Sequence, residues 1–168
     1  MPNRTVESPP GGATKRDAAL RLDSFLPYRL NVAATVTSHA LSRIYAERYK
    51  LGVPEWRILV TLGEFGTMTG KAIGIHSHMH KTKVSRAVAV LERRKLVVRK
   101  ANHDDMRETF LSLTPAGQTI HDDLAPAALA FAKHLLDAVE PADRPALDRA
   151  LRQITERAAE LAKGGTRR

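Results

Sequence analysis

The sequence contains no cysteine among its 168 residues. Disulfide bonds, thiolate catalysis, redox sensing by cysteine and zinc sites with cysteine ligands are therefore excluded. The chain also lacks an apolar run long enough to span a bilayer, and it lacks the apolar N-terminal segment of a signal peptide. These absences predict a cytoplasmic protein with no membrane partner.

Aromatic and acidic residues are scarce. Aromatic residues make up 5% of the chain. The chain has 18 acidic residues and 27 lysines and arginines, which gives a net charge of +9. The hydrophobic fraction of 43% is sufficient for the core of one domain. The excess positive charge favours a polyanionic partner, and we expect nucleic acid ahead of an acidic membrane surface.

Common catalytic motifs are missing as well. The chain has no phosphate-binding glycine-rich loop, no Gly-x-Ser-x-Gly and no His-Glu-x-x-His. Asp104 and Asp105 are adjacent in a predicted turn, which places them poorly for acid–base catalysis. We therefore predict that the protein is not an enzyme and needs no cofactor.

The segment from residue 80 to residue 95 carries the most informative pattern. Its apolar residues recur at the i, i+3, i+4, i+7 spacing of one helix face: Val84, Ala87, Val88 and Leu91. The opposite face has hydroxyls, an alanine and cations but no acid: Thr82, Ser85, Arg86, Ala89 and Arg93, with Lys81 near its N-terminal edge. Such a helix suits the major groove of DNA, because small residues permit close approach while hydroxyls and cations contact phosphates and base edges. An ordinary solvated basic face is the alternative interpretation.

The residues after this helix predict a β hairpin. Residues 96–100 read as a short strand, residues 101–108 as a polar turn, and residues 109–113 alternate as in a half-buried strand. A basic helix followed at once by a hairpin is typical of a helix-turn-helix with a wing. Arg107 lies near the hairpin tip, and an arginine there can enter the narrow minor groove, where the negative potential is enhanced.

Four short motifs in this region resemble the multiple-antibiotic-resistance-regulator (MarR) family of winged-helix transcription factors: Lys81–Arg86, Leu91–Val97, Asp105–Arg107 and Leu111–Gly117. The resemblance extends over roughly residues 23–162. It implies a mainly α-helical fold with a small β wing, in which a winged helix-turn-helix lies between N- and C-terminal dimerisation helices. One departure is Lys95, where the family usually has glycine. Glycine suits a left-handed helix C-cap, and lysine in that conformation costs about 1 kcal/mol.

The chain is expected to divide into five segments: a disordered arm (1–19), a dimerisation and ligand-cleft helix (20–52), the winged helix-turn-helix lobe (53–114), C-terminal dimerisation helices (115–163) and a tail (164–168). Thr69 is predicted to cap the first helix of the helix-turn-helix. Pro126 is expected to kink the fifth helix, and Pro141 to start the sixth. The apolar character of the last two helices indicates a dimer interface, with packing inside one chain as the alternative.

Three histidines alternate with other residues before the predicted recognition helix: His76, His78 and His80. Imidazole suits zinc, copper and nickel, but alternate residues share one face only in a strand, and this segment is predicted to be a turn. No aspartate or glutamate lies beside them. We therefore predict no metal site and expect His80 near the N-cap of the recognition helix.

The resemblance implies a homodimeric regulator that binds double-stranded DNA and reads a pseudo-palindrome with half-sites about 10 bp apart. Asp105 is expected to orient Arg107. The predicted DNA-contacting residues are Lys81, Thr82, Lys83, Ser85, Arg86, Arg93, Asp105 and Arg107. The alternative is a sequence-independent architectural DNA-binding protein, which would share the charge and the helices.

The MarR family also senses small molecules in a cleft between its dimer helices and its DNA-binding lobe. On this resemblance we expect a repressor released from its operator by a small aromatic carboxylate or phenol, or by an aromatic acyl-CoA thioester. Arg29 is the first choice for a carboxylate partner, because its guanidinium offers a planar fork. The other predicted ligand contacts are Tyr28, His39, Arg43 and Trp56. Core packing of Trp56 and an ion pair of Arg29 are the alternatives.

Overall fold

The computed structural model describes residues 20–101 and 109–164. The helices in these ranges are α1 (Leu26–Tyr49), α2 (Val53–Phe65), α3 (Gly70–Ser77), α4 (Lys81–Arg93), α5 (Pro115–Leu136) and α6 (Arg144–Gly164). The strands are β1 (Met68–Thr69), β2 (Val97–Ala101) and β3 (Thr109–Leu113). The chain separates into two compact units, residues 1–39 and residues 40–168, and the boundary falls within α1.

The first unit is described from residue 20 onwards and contains the start of α1. Before the helix, the guanidinium of Arg21 donates a hydrogen bond to the Asp23 carboxylate at 2.9 Å, which lowers the pKa of Asp23. Most of the large apolar side chains of this unit are exposed: Leu20, Leu22, Phe25, Leu26, Tyr28, Val32 and Val36. Monomeric proteins rarely expose extensive apolar patches, so these side chains are candidates for contact with another chain.

The core of the second unit lies between α2, α3, α4 and the sheet. Its most completely buried side chains include Ile58 and Leu59 of α2 and Ile73 of α3. The predicted apolar face of α4 is confirmed, since its four residues are at most 3% exposed: Val84, Ala87, Val88 and Leu91. Burying this face fixes the rotation of α4 about its axis, so the opposite face of the helix points outward.

The sheet has three antiparallel strands in the order β1-β3-β2, whereas the sequence predicts only the β2–β3 hairpin. In the hairpin, Val97 lies opposite Leu113. The added strand pairs Met68 with Leu111. A two-residue strand has no measurable periodicity, which is why the sequence pattern does not reveal it. The mainly helical fold with a small β wing is confirmed.

The turn after α4 retains a left-handed residue even though the residue there is lysine. Lys95 has φ 57°. Its N–H donates to the carbonyl of Glu92 at 2.8 Å, and the Leu96 N–H donates to the carbonyl of Leu91 at 2.9 Å. This pair of hydrogen bonds is a Schellman motif. The chain therefore keeps the turn that glycine would favour and accepts the conformational cost of lysine.

α5 starts at the predicted position. Thr114 caps it, and the Thr114 Oγ1 accepts a hydrogen bond from the Gly117 N–H at 3.1 Å. Gly117 is buried directly against the carbonyl of Leu96, where a Cβ would collide. The helix continues past Pro126 to Leu136. The start of α5 is thus packed against the turn that follows α4.

α6 begins at Arg144, so the predicted start at Pro141 is wrong. Residues 140–143 form a turn in which the Asp143 N–H donates to the carbonyl of Glu140 at 2.9 Å. Pro145 then occupies the first helical turn, a position that tolerates proline. No residue of α6 is buried. Large apolar side chains are exposed on both C-terminal helices: Leu129, Leu135, Leu136, Leu147, Leu151 and Leu161.

Within the described ranges, no helix has both the length and the apolar character needed to cross a membrane.

Candidate nucleic-acid interface

α3, the turn after it and α4 form the helix-turn-helix. The predicted cap is confirmed, since the Thr69 Oγ1 accepts a hydrogen bond from the Ala72 N–H at 3.2 Å. α3 ends in another Schellman motif, in which His78 takes the left-handed conformation with φ 51°. The N–H of Met79 donates to the carbonyl of Gly74 at 3.0 Å, and the Met79 side chain is buried. These contacts fix how α4 leaves the turn.

The three histidines have different surroundings. The His80 Nδ1 accepts a hydrogen bond from the Thr82 N–H at 3.4 Å, so His80 is the N-cap of α4, as predicted. The His76 ring lies 4.5 Å from the Phe65 ring, measured between centroids. His78 occupies the left-handed cap of α3. In the part of the chain that the structure describes, no group of three or more histidine, aspartate or glutamate side chains could hold a metal ion.

The outward face of α4 presents the predicted cations and hydroxyls to solvent. All six of the predicted residues on this helix are exposed: Lys81, Thr82, Lys83, Ser85, Arg86 and Arg93. Among the described residues, no carboxylate forms an ion pair with Lys81, Lys83, Arg86 or Arg93. The face is therefore a strip of positive charge and hydroxyl groups on a helix about 20 Å long, since each residue adds about 1.5 Å.

The one acidic side chain of α4 pairs with a cation of the wing. Glu92 is half-buried, and its Oε1 accepts a hydrogen bond from the Arg99 Nε of β2 at 2.7 Å. The ion pair neutralises the carboxylate and connects α4 to the wing. The Glu92 charge is thus compensated by Arg99 of β2.

Two open grooves flank the first half of α4. One, of about 690 Å³, lies between α3, α4 and the sheet and has Lys71, Ser85 and Arg99 in its wall. The other, of about 540 Å³, lies on the α2 side of α4 and has Arg57 and Arg86 in its wall. Neither groove is lined by a residue predicted to bind a ligand.

The predicted ligand-binding residues fall in both units. Tyr28 and Arg29 are exposed, and His39 is the last residue of the first unit. In the second unit, the guanidinium of Arg43 lies 3.8 Å from the Glu47 carboxylate. Trp56 is only 6% exposed and stacks on Tyr45, with the ring centroids 5.2 Å apart. Trp56 is thus a core residue, and a ligand role for any of the five stays a prediction.

The predicted wing-tip residues Asp105 and Arg107 lie outside the described residues. The two strands on either side of them end at Ala101 and begin again at Thr109. Their proposed place beside a minor groove stays a prediction.

The C-terminal end of α1 makes a set of contacts that the sequence does not predict. The Arg94 guanidinium donates hydrogen bonds to the carbonyls of Tyr49, at 2.7 Å, and Lys50, at 3.3 Å. The Tyr49 hydroxyl donates to the Asp123 carboxylate at 2.8 Å, which raises the pKa of Tyr49. Arg48 also contacts Asp123, at 2.7 Å. The hydrogen-bonded partners are 44 to 74 residues apart in sequence, so no local pattern could reveal them.

The lobe around this interface is similar to known proteins. Residues 51–109 match the sequence model of the MarR family. No curated protein matches the chain. The matched family and the similar solved structures are transcriptional regulators rather than enzymes.

Several solved structures are similar over most of their length. The MarR family transcriptional regulator SPO1453 from Silicibacter pomeroyi DSS-3 is 26% identical with a TM-score of 0.70, over 82% of this chain and 98% of that one. The MarR/EmrR family transcriptional regulator from Acinetobacter sp. ADP1 is 24% identical with a TM-score of 0.77, over 84% and 99%. BpsR from Bordetella bronchiseptica is 19% identical with a TM-score of 0.64, over 76% and 98%. Residues 51–109 are thus similar to the MarR family, and the chain shares its fold with solved structures of MarR family transcriptional regulators.

Proposed function

We propose that the protein is a homodimeric, ligand-responsive repressor that binds a palindromic operator and works in the cytoplasm. The observation that carries the proposal is the outward face of α4. It has exposed hydroxyls and cations that pair with no carboxylate of the described residues, on a helix whose other face is buried. The buried face presents the outward one to a major groove, where cations contact phosphates and an arginine can read guanine. Lys81 and Arg86 are the leading candidates for these contacts.

The exposed leucines of the C-terminal helices support a dimer. α6 is 21 residues long and buries none of its side chains, although its leucines recur at helical spacing. A helix of this kind gains most of its stability from packing its apolar face, so a partner surface is expected. A second copy of the chain would place two recognition helices on one face of the DNA, as a palindrome requires.

The proposed effector is a small aromatic carboxylate or phenol, or an aromatic acyl-CoA thioester. DNA binding by BpsR is regulated by 6-hydroxynicotinic acid, which is an aromatic carboxylate. Arg29 can pair with a carboxylate through two parallel hydrogen bonds. The protein has a form that binds DNA and a form that does not. The effector must have the higher affinity for the second form, because equal affinity for both would not shift the equilibrium between them.

Selection of bound duplexes from a random DNA library at near-physiological salt tests the proposal. A dimeric repressor enriches a palindrome whose half-sites lie about one helical turn apart. The enriched duplex is then the probe for release by 6-hydroxynicotinic acid and related aromatic acids. Binding without any enriched sequence, with an affinity that falls steadily as salt rises, would favour the architectural alternative instead.

A further inference from the structure

The turn at residues 94–96, which directly follows the recognition helix, contacts the ends of two other helices. Arg94 contacts the C-terminal end of α1, and Lys95 and Leu96 contact the start of α5. We propose that Arg94 is a positioning residue, which fixes the recognition helix relative to the end of α1 and thereby sets the separation of the two half-sites. The inference rests on the proposed dimeric function and adds to it a residue with no direct role in DNA contact.

Arg94 meets α1 at the part of the helix that most needs a donor. The last carbonyls of a helix have no partner within the helix and carry its negative dipole end. Tyr49 is the last residue of α1, and Lys50 takes a left-handed conformation with φ 51° just after it. The two Arg94 nitrogens donate to the carbonyls of these two residues. A cation with two donors is thus placed where both its charge and its hydrogen bonds are favourable.

The planar guanidinium is what makes this contact directional. It presents several N–H donors in a fixed fork, whereas a lysine ammonium is a compact charge on a flexible stem. Arg94 can therefore hold two successive carbonyls in one orientation. Its backbone is itself constrained, because its N–H donates to the carbonyl of Val90 at 3.2 Å. The side chain thus connects an ordered C-cap of α4 to an ordered C-terminus of α1.

The same turn also holds α5. The Thr114 Oγ1 donates to the carbonyl of Lys95 at 2.7 Å, and the Thr114 N–H donates to the carbonyl of Leu96 at 3.0 Å. On its other side, the α1 terminus contacts α5 through the Tyr49 hydroxyl and Asp123. The end of the recognition helix, the end of α1 and two points on α5 are thus joined by short polar contacts.

These contacts add to what the core already fixes, since the core includes Tyr45 of α1 and Leu124 of α5 as well as the buried face of α4. Burial of its apolar face sets the rotation of α4 within the lobe, and so decides which side chains face DNA. The contacts of the 94–96 turn set where α4 ends relative to α1 and α5, which belong to the proposed dimer scaffold. Loss of Arg94 should therefore change the tolerated half-site separation and leave the preferred bases within a half-site unchanged.

The experiment measures affinity for duplexes carrying the enriched half-sites at the selected separation and at separations one and two base pairs shorter or longer. The affinity of the wild-type protein is expected to fall about tenfold or more when the separation changes by one base pair, which is comparable to the effect of a mismatched base. For Arg94→Ala and for Arg94→Lys, the affinity is expected to fall less than about threefold for the same change in separation. A merely destabilised protein would bind every duplex more weakly and keep its preference for one separation.

Arg149→Ala is the matched control for loss of one positive charge. Arg149 lies on the polar side of α6, opposite its leucines, and should keep the wild-type separation preference. A phosphate-contact role for Arg94 makes a different prediction: Arg94→Ala would lower the salt slope of binding by about one, and Arg94→Lys would restore it. That pattern, or an unchanged separation preference in Arg94→Ala, would overturn the positioning role.

Amide hydrogen exchange tests the contact without DNA. In Arg94→Ala, the amides of Lys50 and Leu51 should exchange roughly tenfold faster, while the amides of Ile58 and Leu59 in the core keep their protection. If wild-type protein enriches no DNA sequence, the proposed function fails on its own, and the exchange result decides the role of Arg94. Unchanged exchange at Lys50 and Leu51 would then overturn it.

Discussion

Two residues near the turn that follows α4 lie in places that few side chains tolerate. Lys95 has a positive φ, which favours glycine, and Gly117 lies so close to the carbonyl of Leu96 that a Cβ would collide with it. One position thus lacks the glycine that its backbone favours, and the other requires the glycine that it has. Opposite stability effects follow for substitutions at the two positions.

Lys95→Gly is expected to stabilise the protein by up to about 1 kcal/mol, because it relieves the left-handed lysine, less the entropy that glycine adds to the unfolded chain. Denaturant unfolding at one fixed protein concentration measures the change. Arg93→Gly, two positions earlier in the last turn of α4, serves as the control and should destabilise by up to about 1 kcal/mol. Destabilisation by Lys95→Gly as well would show that the side chain contributes more than its backbone costs.

Gly117→Ala is expected to destabilise the protein by about 2–4 kcal/mol, because the added methyl meets a backbone carbonyl that cannot move without disturbing the 94–96 turn. Gly70→Ala is the control, since a Cβ at Gly70 meets nothing within 4 Å. It should be neutral or stabilising by roughly 0.5–1 kcal/mol. Thermal or denaturant unfolding would distinguish the two. Equal stability of both variants would contradict the close packing at Gly117.

At the scale of the element, α4 combines a face that the core fixes with a face that the core leaves free. Its four buried residues are at most 3% exposed, while its outward cations have no carboxylate partner in the described part of the chain. Glu92 is paired with Arg99 of the wing. This division separates the residues that fold the helix from those that are proposed to bind DNA, so the outward residues can be changed at little cost to stability.

Arg86→Ala is expected to weaken binding to the enriched duplex by about 1–3 kcal/mol if Arg86 reads a base, with relaxed preference at one position. If it contacts only phosphate, binding weakens for every sequence and the salt slope falls by about one. Fluorescence anisotropy with the enriched and a scrambled duplex distinguishes the two cases, and Arg149→Ala again controls for charge. An unchanged affinity for both duplexes would remove Arg86 from the interface.

At the scale of the whole molecule, the central property is the proposed pairing of two chains through the C-terminal helices. The leucines of α6 are exposed and lie on one side of an amphipathic helix. A dimer formed there would bury them and leave both α4 helices available for DNA. The oligomeric state and the affinity for a palindrome should therefore change together.

Leu151→Glu is expected to shift the protein towards the 18.5 kDa monomer and to weaken palindrome binding more than about tenfold, because each half-site would then be bound separately. Sedimentation velocity and anisotropy on the same samples measure both effects. Arg149→Glu, on the polar side of the same helix, should change neither the mass nor the half-site spacing. A Leu151→Glu protein that remains dimeric would place the interface elsewhere.

Sequence reasoning recovers the elements that have a local signature. The period of Val84, Val88 and Leu91 defines α4, and the alternation of residues 109–113 defines β3. It fails where the determinants are short or distant. β1 is too short to have a period, and the hydrogen bonds from Arg94 join residues 44 and 45 positions apart. The sequence misplaces the start of α6 because Pro141 and Pro145 are both acceptable in a first turn, and only the 140–143 turn decides between them.

Protection of guanine N7 from dimethyl sulfate on the enriched duplex tests whether α4 enters the major groove, because N7 lies in that groove. We expect two patches of protection about one helical turn apart, related by the symmetry of the palindrome, and both should weaken in Arg86→Ala. Full binding with no protected guanine N7, when guanines lie in both half-sites, would contradict the placement of α4 in the major groove.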